Sequence, residues 1–439
     1  MKLRFAPSPT GYLHVGNARP ALVNYLFAKR NGGEFLLRLD DTDRERSRPE
    51  YAAAIEQDLK WLGFEWSLLF RQSDRLALYE EAAERLKAAG RLYPCFESEE
   101  ELKAKREAKQ KRGLAPVYDR AMLKLTPEQR AQAEANGKKP YWRFLLSSRA
   151  VEWTDLHQGK RSVKLPAISD PVLIREDGSP LYTFTSVVDD IETGITHVIR
   201  GEDHVTNTAV QIDIFEALTG VPTKVKFGHL PLLLDSDGGK LSKRIGSLSL
   251  RGLRNDGIEP IAVSSYLARL GTSDDPEPLS LDQLAASFDL AHFSKSPARF
   301  DARQMLALNR RVLHGLSFSQ VKDRLPAGAT EVFWEAVKGN LDLLNEARAW
   351  WDVVGGEIVP PVQEGEQEFL ATARALLPQG EWDAGTWGAW TEAVKQATGR
   401  KGRALFHPLR LALTGEEQGP ELKVLLPLMG RERVLRRLQ

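Results

Sequence analysis

The first 65 residues carry the pattern that most restricts the fold: strand, loop, helix, strand. Lys2–Phe5 reads as a short strand, and the loop Ala6–Gly11 ends it, because two prolines and a glycine cannot continue a strand or a helix. Apolar residues at helical spacing from Ala18 to Ala28 predict a helix. The run Phe35–Leu39 predicts a strand buried on both faces. The sequence therefore predicts an α/β fold that begins with a parallel βαβ unit.

Two segments fall at the carboxyl ends of these strands, where open α/β sheets bind ligands. The loop Pro7–Asn17 runs into a helix N-terminus, whose free N–H groups and dipole favour a phosphate. In this loop His14 can donate a hydrogen bond to phosphate oxygens, and Gly16 lets a nucleotide approach because it has no Cβ. The second segment is the acidic turn Asp40–Asp43. The loop matches neither GxGxxG nor the Walker pattern, which disfavours a dinucleotide enzyme or a P-loop ATPase.

A basic segment, Gly238–Arg244, lies far downstream. Its two glycines predict a mobile turn and are followed by Lys240, Lys243 and Arg244, which suits a reaction that builds negative charge on phosphate. Considered alone, this segment is better explained as a solvated basic loop. The presence of the His14 loop in the same chain favours the phosphate chemistry.

Composition excludes several classes of protein. With 61 Lys+Arg against 60 Asp+Glu, the chain is not histone-like, although residues 391–439 hold 10 basic and 5 acidic residues, a modest indication of a polyanionic partner. The single cysteine, Cys95, excludes a disulfide framework and a cysteine-rich zinc site, and we expect it to be buried as a small hydrophobe. No run of about 18 apolar residues is present, so we expect no membrane association and a cytoplasmic location.

Two motifs resemble the signatures of a known class of enzymes. Pro7–Gly11 together with His14–Gly16 resembles the HIGH signature of class I aminoacyl-tRNA synthetases, and Lys240–Arg244 resembles their KMSKS loop. Four further segments narrow the resemblance to the glutamyl-tRNA synthetase family: Arg4–Gly11, Arg38–Asp43, Val187–Asp190 and His197–His204. The resemblance extends along nearly the whole chain.

The resemblance implies a ligase that works in two steps. L-glutamate and ATP give glutamyl-adenylate and pyrophosphate, and the glutamyl group then passes to the 2′-hydroxyl of the terminal adenosine of tRNA. Positioning and electrostatics should dominate, because both steps build negative charge on phosphate oxygens. The implied partners are ATP with Mg²⁺, L-glutamate and tRNA(Glu). No binding of zinc, DNA or a membrane is expected. The protein is expected to be a monomer. Whether tRNA(Gln) is also charged stays open.

The resemblance also implies the site residues. His14, Lys240 and Lys243 would be catalytic by stabilising the phosphate in the transition state. The ATP site would comprise Pro7, His14, Gly16, Asn17, Asp203 and Lys243. The glutamate site would comprise Arg4, Ala6, Ser8, Asp40, Tyr182, Ser186 and Arg200. Its arginines can each hold a carboxylate by two hydrogen bonds, and Asp40 stands where the family commonly has a glutamate for the substrate's amino group.

The implied architecture is a Rossmann-like parallel-sheet catalytic domain in two halves, residues 1–84 and 186–234, separated by an α+β acceptor-stem-binding insertion, residues 85–185. Residues 235–305 would form a stem-contact region with the KMSKS-type loop, and residues 306–439 an all-α anticodon-binding region. Two alternatives remain. An adenylate-forming enzyme that does not use tRNA leaves the insertion and the C-terminal region unexplained. An RNA-binding paralogue with a dead site would lack His14 or Lys243, and both are present.

Overall fold

The structure is a computed structural model, which describes residues 1–235, 248–361 and 363–438. The chain folds into two compact units. The first unit comprises Met1–Gly252 and Ser264–Asp301, and the second comprises Leu253–Val263 and Ala302–Gln439. No helix among the described residues is both long and apolar enough to cross a membrane.

The chain begins with three parallel strands and the helices that connect them. These elements are β1 (Lys2–Phe5), α1 (Val15–Arg30), β2 (Glu34–Leu39), α2 (Pro49–Trp61), β3 (Leu68–Arg71) and α3 (Leu76–Ala88). β2 lies between β1 and β3 and is parallel to both. Its side chains from Phe35 to Leu39 are all buried, as the sequence predicts for a strand that is covered on both faces.

An insertion with antiparallel strands follows. Its elements are β4 (Leu92–Cys95), α4 (Glu99–Lys111), α5 (Pro127–Ala135), β5 (Tyr141–Phe144), β6 (Ala150–Asp155), β7 (Gly159–Lys164) and β8 (Val172–Ile174). β4, β5 and β8 form one sheet, and β6 and β7 form a hairpin. Cys95 is fully buried, as predicted, and burial raises the pKa of its thiol to about 12.

The parallel fold then resumes. Its elements are α6 (Tyr182–Glu192), β9 (His197–Gly201), α7 (Val205–Thr219), β10 (Lys226–Leu230) and β11 (Leu233–Asp235). β9 and β10 pair in parallel, and the Thr196 N–H donates to the Lys2 carbonyl over 3.0 Å, which places the start of β9 beside β1. The carboxyl ends of β1, β2 and β9 therefore meet at one edge, although the insertion separates them in sequence.

The remaining elements are mainly helical. Those between β11 and residue 301 are α8 (Leu250–Asp256), α9 (Pro260–Arg269), α10 (Leu281–Ser287) and β12 (Ala298–Phe300). The helices after them are α11 (Ala302–Gly315), α12 (Phe318–Val321), α13 (Glu331–Val337), α14 (Ala347–Gly355), α15 (Gln367–Ala375), α16 (Thr386–Thr398), α17 (Arg403–Thr414), α18 (Leu422–Met429) and α19 (Arg431–Arg437). Trp334 and Trp390 are fully buried in the core of the second unit. The described residues of this region contain no strand after β12, as the sequence predicts.

Candidate active site

His14 is the N-cap of α1, at the end of the loop that follows β1. Its Nδ1 accepts a hydrogen bond from the Gly16 N–H over 3.0 Å. Desolvation lowers the pKa of His14, so the ring is neutral at neutral pH. Because Nδ1 accepts, the proton of the neutral ring lies on Nε2. The ring therefore presents an N–H donor beside the free amides of a helix N-terminus, a combination suited to phosphate oxygens.

Gly16 is required by the position of this ring. A Cβ built on Gly16 would lie 2.8 Å from His14 Cε1 and 2.9 Å from its Nδ1, well inside ordinary contact. From the sequence, Gly16 is expected to let a nucleotide approach the main chain. The structure adds a second reason, because any side chain here displaces the His14 ring from its cap.

The described residues next to the basic segment are joined to the His14 loop. Ser249 forms an antiparallel bridge with His14, the Val15 N–H donates to the Leu248 carbonyl over 3.1 Å, and the Leu250 N–H donates to the Leu13 carbonyl over 2.8 Å. Lys240 and Lys243 lie outside the described residues. The chain that leads away from them is nevertheless hydrogen-bonded to the loop with which they are expected to act.

Three arginines and three aspartates form a group of ion pairs, here called the charge cluster. Its members are Arg4, Arg38, Arg75, Asp40, Asp189 and Asp190. Arg38 Nε lies 2.6 Å from Asp40 Oδ1, and Arg38 NH1 lies 2.9 Å from Asp190 Oδ1. Arg4 Nε lies 3.0 Å from the same oxygen of Asp190. Both oxygens of Asp40 accept from Arg38, a bidentate geometry that requires the ionised carboxylate. The six charges therefore balance.

Electrostatics differ between members of the charge cluster. Burial disfavours the charged form of Arg38, but the facing carboxylates outweigh it and raise the pKa of Arg38. Burial raises the pKa of Asp40, against the opposing charge of Arg38. Arg4 and Asp40 are predicted from the sequence as site residues, and the structure brings both into this cluster. Arg38 is not predicted as a site residue, although its charge inside the apolar run Phe35–Leu39 is a signal that could have indicated it.

Arg200 stands apart from this balance. It lies near the end of β9, where its NH2 donates to Thr208 Oγ1 over 2.5 Å and to Gln211 Oε1 over 2.6 Å. No carboxylate of the described residues forms an ion pair with it, and its Nε is buried without a partner among them. Burial and, next, the positive charge of Arg4 lower the pKa of Arg200 to about 10. Arg200 is thus still charged at neutral pH, and within the described part of the chain no carboxylate forms an ion pair with it.

Tyr182 and Ser186 lie one turn apart on α6. The Tyr182 hydroxyl lies 3.2 Å from His204 Nδ1. The Ser186 hydroxyl donates to the Tyr182 carbonyl over 2.6 Å and accepts from Gln211 Nε2 over 2.7 Å. Gln211, which the sequence analysis did not single out, therefore connects Ser186 to Arg200.

The other predicted residues border the same edge. The Pro7 carbonyl accepts the Asp40 N–H over 3.0 Å, which ties the His14 loop to the acidic turn. Ala6 is partly exposed and Ser8 is exposed, and Asn17 is exposed in the first turn of α1. Asp203 lies in the short turn between β9 and α7 with 58% of its side chain exposed. The described residues contain no group of three or more His, Cys, Asp and Glu suited to hold a metal ion.

Comparison with known proteins identifies the class. The family model for the catalytic domain of class I tRNA synthetases (E and Q) matches residues 1–307. The family model for an anticodon binding domain matches residues 361–439. Fold and sequence thus define a class I tRNA synthetase, an enzyme that uses ATP to attach an amino acid to tRNA.

Individual relatives narrow the class. The chain is 68% identical over 437 residues to Glutamate--tRNA ligase 2 of Granulibacter bethesdensis, covering 99% of this chain and 97% of that protein. It is 56% identical to Glutamate--tRNA ligase of Azospirillum brasilense, covering 99% and 98%. A crystal structure of a glutamate tRNA ligase from Elizabethkingia meningosepticum in complex with its amino acid matches with a TM-score of 0.84 at 28% identity, covering 100% and 98%. The chain belongs to the glutamate–tRNA ligase family.

Proposed function

We propose that the chain activates L-glutamate with ATP at the edge formed by β1, β2 and β9 and transfers it to the 2′-hydroxyl of the terminal adenosine of tRNA. The observation that carries this proposal is Arg200, a charged guanidinium that forms no ion pair with a carboxylate of the described residues and lies beside a cluster whose charges balance. Glutamate has two carboxylates and one ammonium group, so its net charge complements that of Arg200.

Arg200 and Arg4 bind the side-chain carboxylate of glutamate. Arg200 offers its Nε–H and NH1, because both protons of NH2 are already used by Thr208 and Gln211. Asp40 keeps free lone pairs on its carboxylate and accepts from the substrate ammonium. The walls of this glutamate site are formed by Ala6, Ser8, Tyr182 and Ser186. Arg38 holds the Asp40 carboxylate in its orientation.

ATP binds along the His14 loop. The Nε2–H of His14 donates to the phosphates at the N-terminus of α1, and Pro7, Gly16, Asn17 and Asp203 border the nucleotide. Lys240 and Lys243 add positive charge from the basic segment. Mg²⁺ would enter with ATP as part of the substrate and neutralise charge on the triphosphate.

The chemistry then needs no covalent help from the protein. The α-carboxylate oxygen of glutamate attacks the α-phosphorus, the bond to the bridging oxygen breaks, and pyrophosphate leaves with its electron pair. In the second step the 2′-hydroxyl oxygen of tRNA attacks the carbonyl carbon, the bond between that carbon and the AMP oxygen breaks, and AMP leaves with its electron pair while the hydroxyl proton passes to one of its phosphate oxygens. Preorganised donors such as the Nε2–H of His14 stabilise the developing negative charge without reorganisation.

Three regions of the chain, with the bounds predicted from the sequence, are proposed to bind tRNA. Residues 85–185 bind the acceptor stem, residues 235–305 contact the stem, and residues 306–439 bind the anticodon. The chain acts as a cytoplasmic monomer on tRNA(Glu). Charging of purified tRNA(Glu) and tRNA(Gln) side by side decides whether the second tRNA is also a substrate.

The test of the glutamate site is substitution of Arg200. We expect Arg200→Ala to raise the glutamate KM in pyrophosphate exchange, measured with tRNA present, by roughly 10²-fold, since truncating one partner of a buried charge pair costs about 2–5 kcal/mol. The ATP KM should change less than about twofold. Arg30→Ala is the control, because Arg30 is exposed in the last turn of α1, at the end opposite to His14, where it donates to the Ala286 carbonyl over 3.0 Å. An unchanged glutamate KM in Arg200→Ala would contradict the assignment.

A further inference from the structure

A buried chain of hydrogen bonds, here called the relay, connects the inserted hairpin to Arg200. The relay consists of Asp155 at the end of β6, His229 on β10 and Thr208 on α7. Asp155 Oδ2 lies 2.5 Å from His229 Nδ1, His229 Nε2 lies 2.8 Å from Thr208 Oγ1, and Thr208 Oγ1 lies 2.5 Å from Arg200 NH2. The exposed fraction is 3% for Asp155 and 0% for His229 and Thr208, so water does not compete for these bonds.

The direction of each hydrogen bond follows from the first residue. Asp155 Oδ1 accepts the main-chain N–H groups of His157, Gln158 and His229. Burial opposes ionisation of Asp155, but these bonds and the one from the His229 ring outweigh it and lower the pKa of Asp155 to about 2. The ionised carboxylate leaves His229 Nδ1 as a donor, and the other ring nitrogen, Nε2, faces Thr208 Oγ1.

The distances assign the direction of the other hydrogen bonds in the relay. The Thr208 hydroxyl donates to His229 Nε2, which is nearer than its other acceptor, the His204 carbonyl, at 3.2 Å. The lone pairs of Thr208 Oγ1 therefore face Arg200 and accept from NH2. The negative charge of Asp155 polarises each bond toward itself and makes Oγ1 a stronger acceptor for the guanidinium.

We infer that Asp155, His229 and Thr208 are positioning residues that set the orientation of Arg200 and thereby the affinity of the enzyme for glutamate. This inference rests on the proposed role of Arg200 in binding the substrate carboxylate. With one NH2 proton on Thr208 and the other on Gln211, the plane of the guanidinium is fixed, and NH1 and the Nε–H stay free of these two acceptors. None of the three relay residues touches the substrate itself.

Thr208 gives the sharpest test, because Thr208→Val keeps the shape of the side chain and removes the acceptor. We expect the glutamate KM in pyrophosphate exchange, with tRNA present, to rise about 10-fold, the size expected when a hydrogen bond to a charged group is lost. The ATP KM and kcat should stay within about twofold of wild type. Thr208→Ser, which retains the hydroxyl, should restore the wild-type glutamate KM.

A matched control lies on the same helix. The Thr219 hydroxyl donates to the carbonyl four residues before it, over 2.8 Å to Phe215, and it is not part of the relay. Thr219→Val should therefore leave the glutamate KM unchanged. A second relay variant, Asp155→Asn, keeps the size of the side chain and reverses the proton order, so it should raise the glutamate KM at least threefold even if Thr208→Val fails to fold.

The outcomes separate the inference from the proposed function. If Arg200→Ala raises the glutamate KM and neither Thr208→Val nor Asp155→Asn does, the relay is overturned and the role of Arg200 stands. If Thr208→Val raises the glutamate and ATP KM values together and lowers the melting temperature more than Thr219→Val does, its role is structural and the inference is wrong. If Arg200→Ala has no effect on the glutamate KM, both the proposed role of Arg200 and the relay fall.

Discussion

Replacement of Gly16 by alanine tests whether the His14 ring is held where it can serve ATP. The new Cβ would lie 2.8 Å from His14 Cε1, whereas ordinary contact begins at 3.4 Å, so the ring must withdraw by at least about 0.6 Å. Such a shift lengthens the 3.0 Å bond from the Gly16 N–H to Nδ1 beyond hydrogen-bond range. It also moves the Nε2–H away from the phosphate.

The size of the effect follows from that displacement. A misplacement of about 1 Å at a reacting centre can cost about 10²-fold, so we expect kcat for pyrophosphate exchange to fall by roughly 10–100-fold in Gly16→Ala. Loss of the helix cap should lower the free energy of unfolding by about 1 kcal/mol. Gly11→Ala in the same loop is the control, because a Cβ at Gly11 meets no atom within 4 Å.

A double-mutant cycle decides between the two reasons for Gly16. If the added methyl acts through the ring, Gly16→Ala should have little further effect in a His14→Ala background, since the group it displaces is already gone. If Gly16 matters through direct contact with the nucleotide, the loss should persist in that background and appear in the ATP KM. The second result would refute the ring-displacement argument.

Four further predictions follow from the site and the sequence. Asp190→Asn should lower the free energy of unfolding by about 3–5 kcal/mol in denaturant titrations, because the buried Arg4 and Arg38 both lose a carboxylate. Because the pKa of His14 is lowered in the folded protein, His14 is protonated at a higher pH in the unfolded chain than in the folded one. The contribution of His14 to the free energy of unfolding should therefore be fully present above about pH 6.5 and be lost as the pH falls below that value. Lys243→Ala should slow adenylate formation by roughly 10²–10³-fold with little change in tRNA affinity, measured by pre-steady-state kinetics and filter binding. Exhaustive chelation of zinc should leave charging intact once Mg²⁺ is restored, and loss of one tightly bound zinc together with activity would show that prediction to be wrong.

Local patterns in the sequence predict the first elements of the chain. The predicted strand Lys2–Phe5 has those bounds in the structure, the predicted strand Phe35–Leu39 lies within β2, and the predicted helix Ala18–Ala28 lies within α1. α4 begins at Glu99 after the capping box of Ser98 and Glu101, a local signal of the same kind. These signals are local: a period, a cap or a breaker acts within a few residues and can be read without knowledge of the fold.

The connections within the site could not be predicted in this way. His229 and Asp155 are 74 residues apart, and no spacing rule relates a histidine on one strand to a carboxylate on an inserted hairpin. Asp190 stands in a motif that carries the family resemblance, but its bonds to both Arg4 and Arg38 appear only when β1, β2 and α6 are brought together. Sequence reasoning therefore finds the residues that the family shares and misses the partners that hold them.

The separation of β1 from β9 by the insertion has a consequence for biosynthesis. Arg4 and its partner Asp190 are 186 residues apart, so at translation rates of about 5–20 residues per second roughly 10–40 s pass between their appearance. During that interval Arg4 and Arg38 have emerged before Asp190 can neutralise them, and β1 lacks its neighbour β9. The nascent chain thus holds two arginines of the charge cluster without their shared counter-ion, and the cluster is complete only when the second half of the sheet leaves the ribosome.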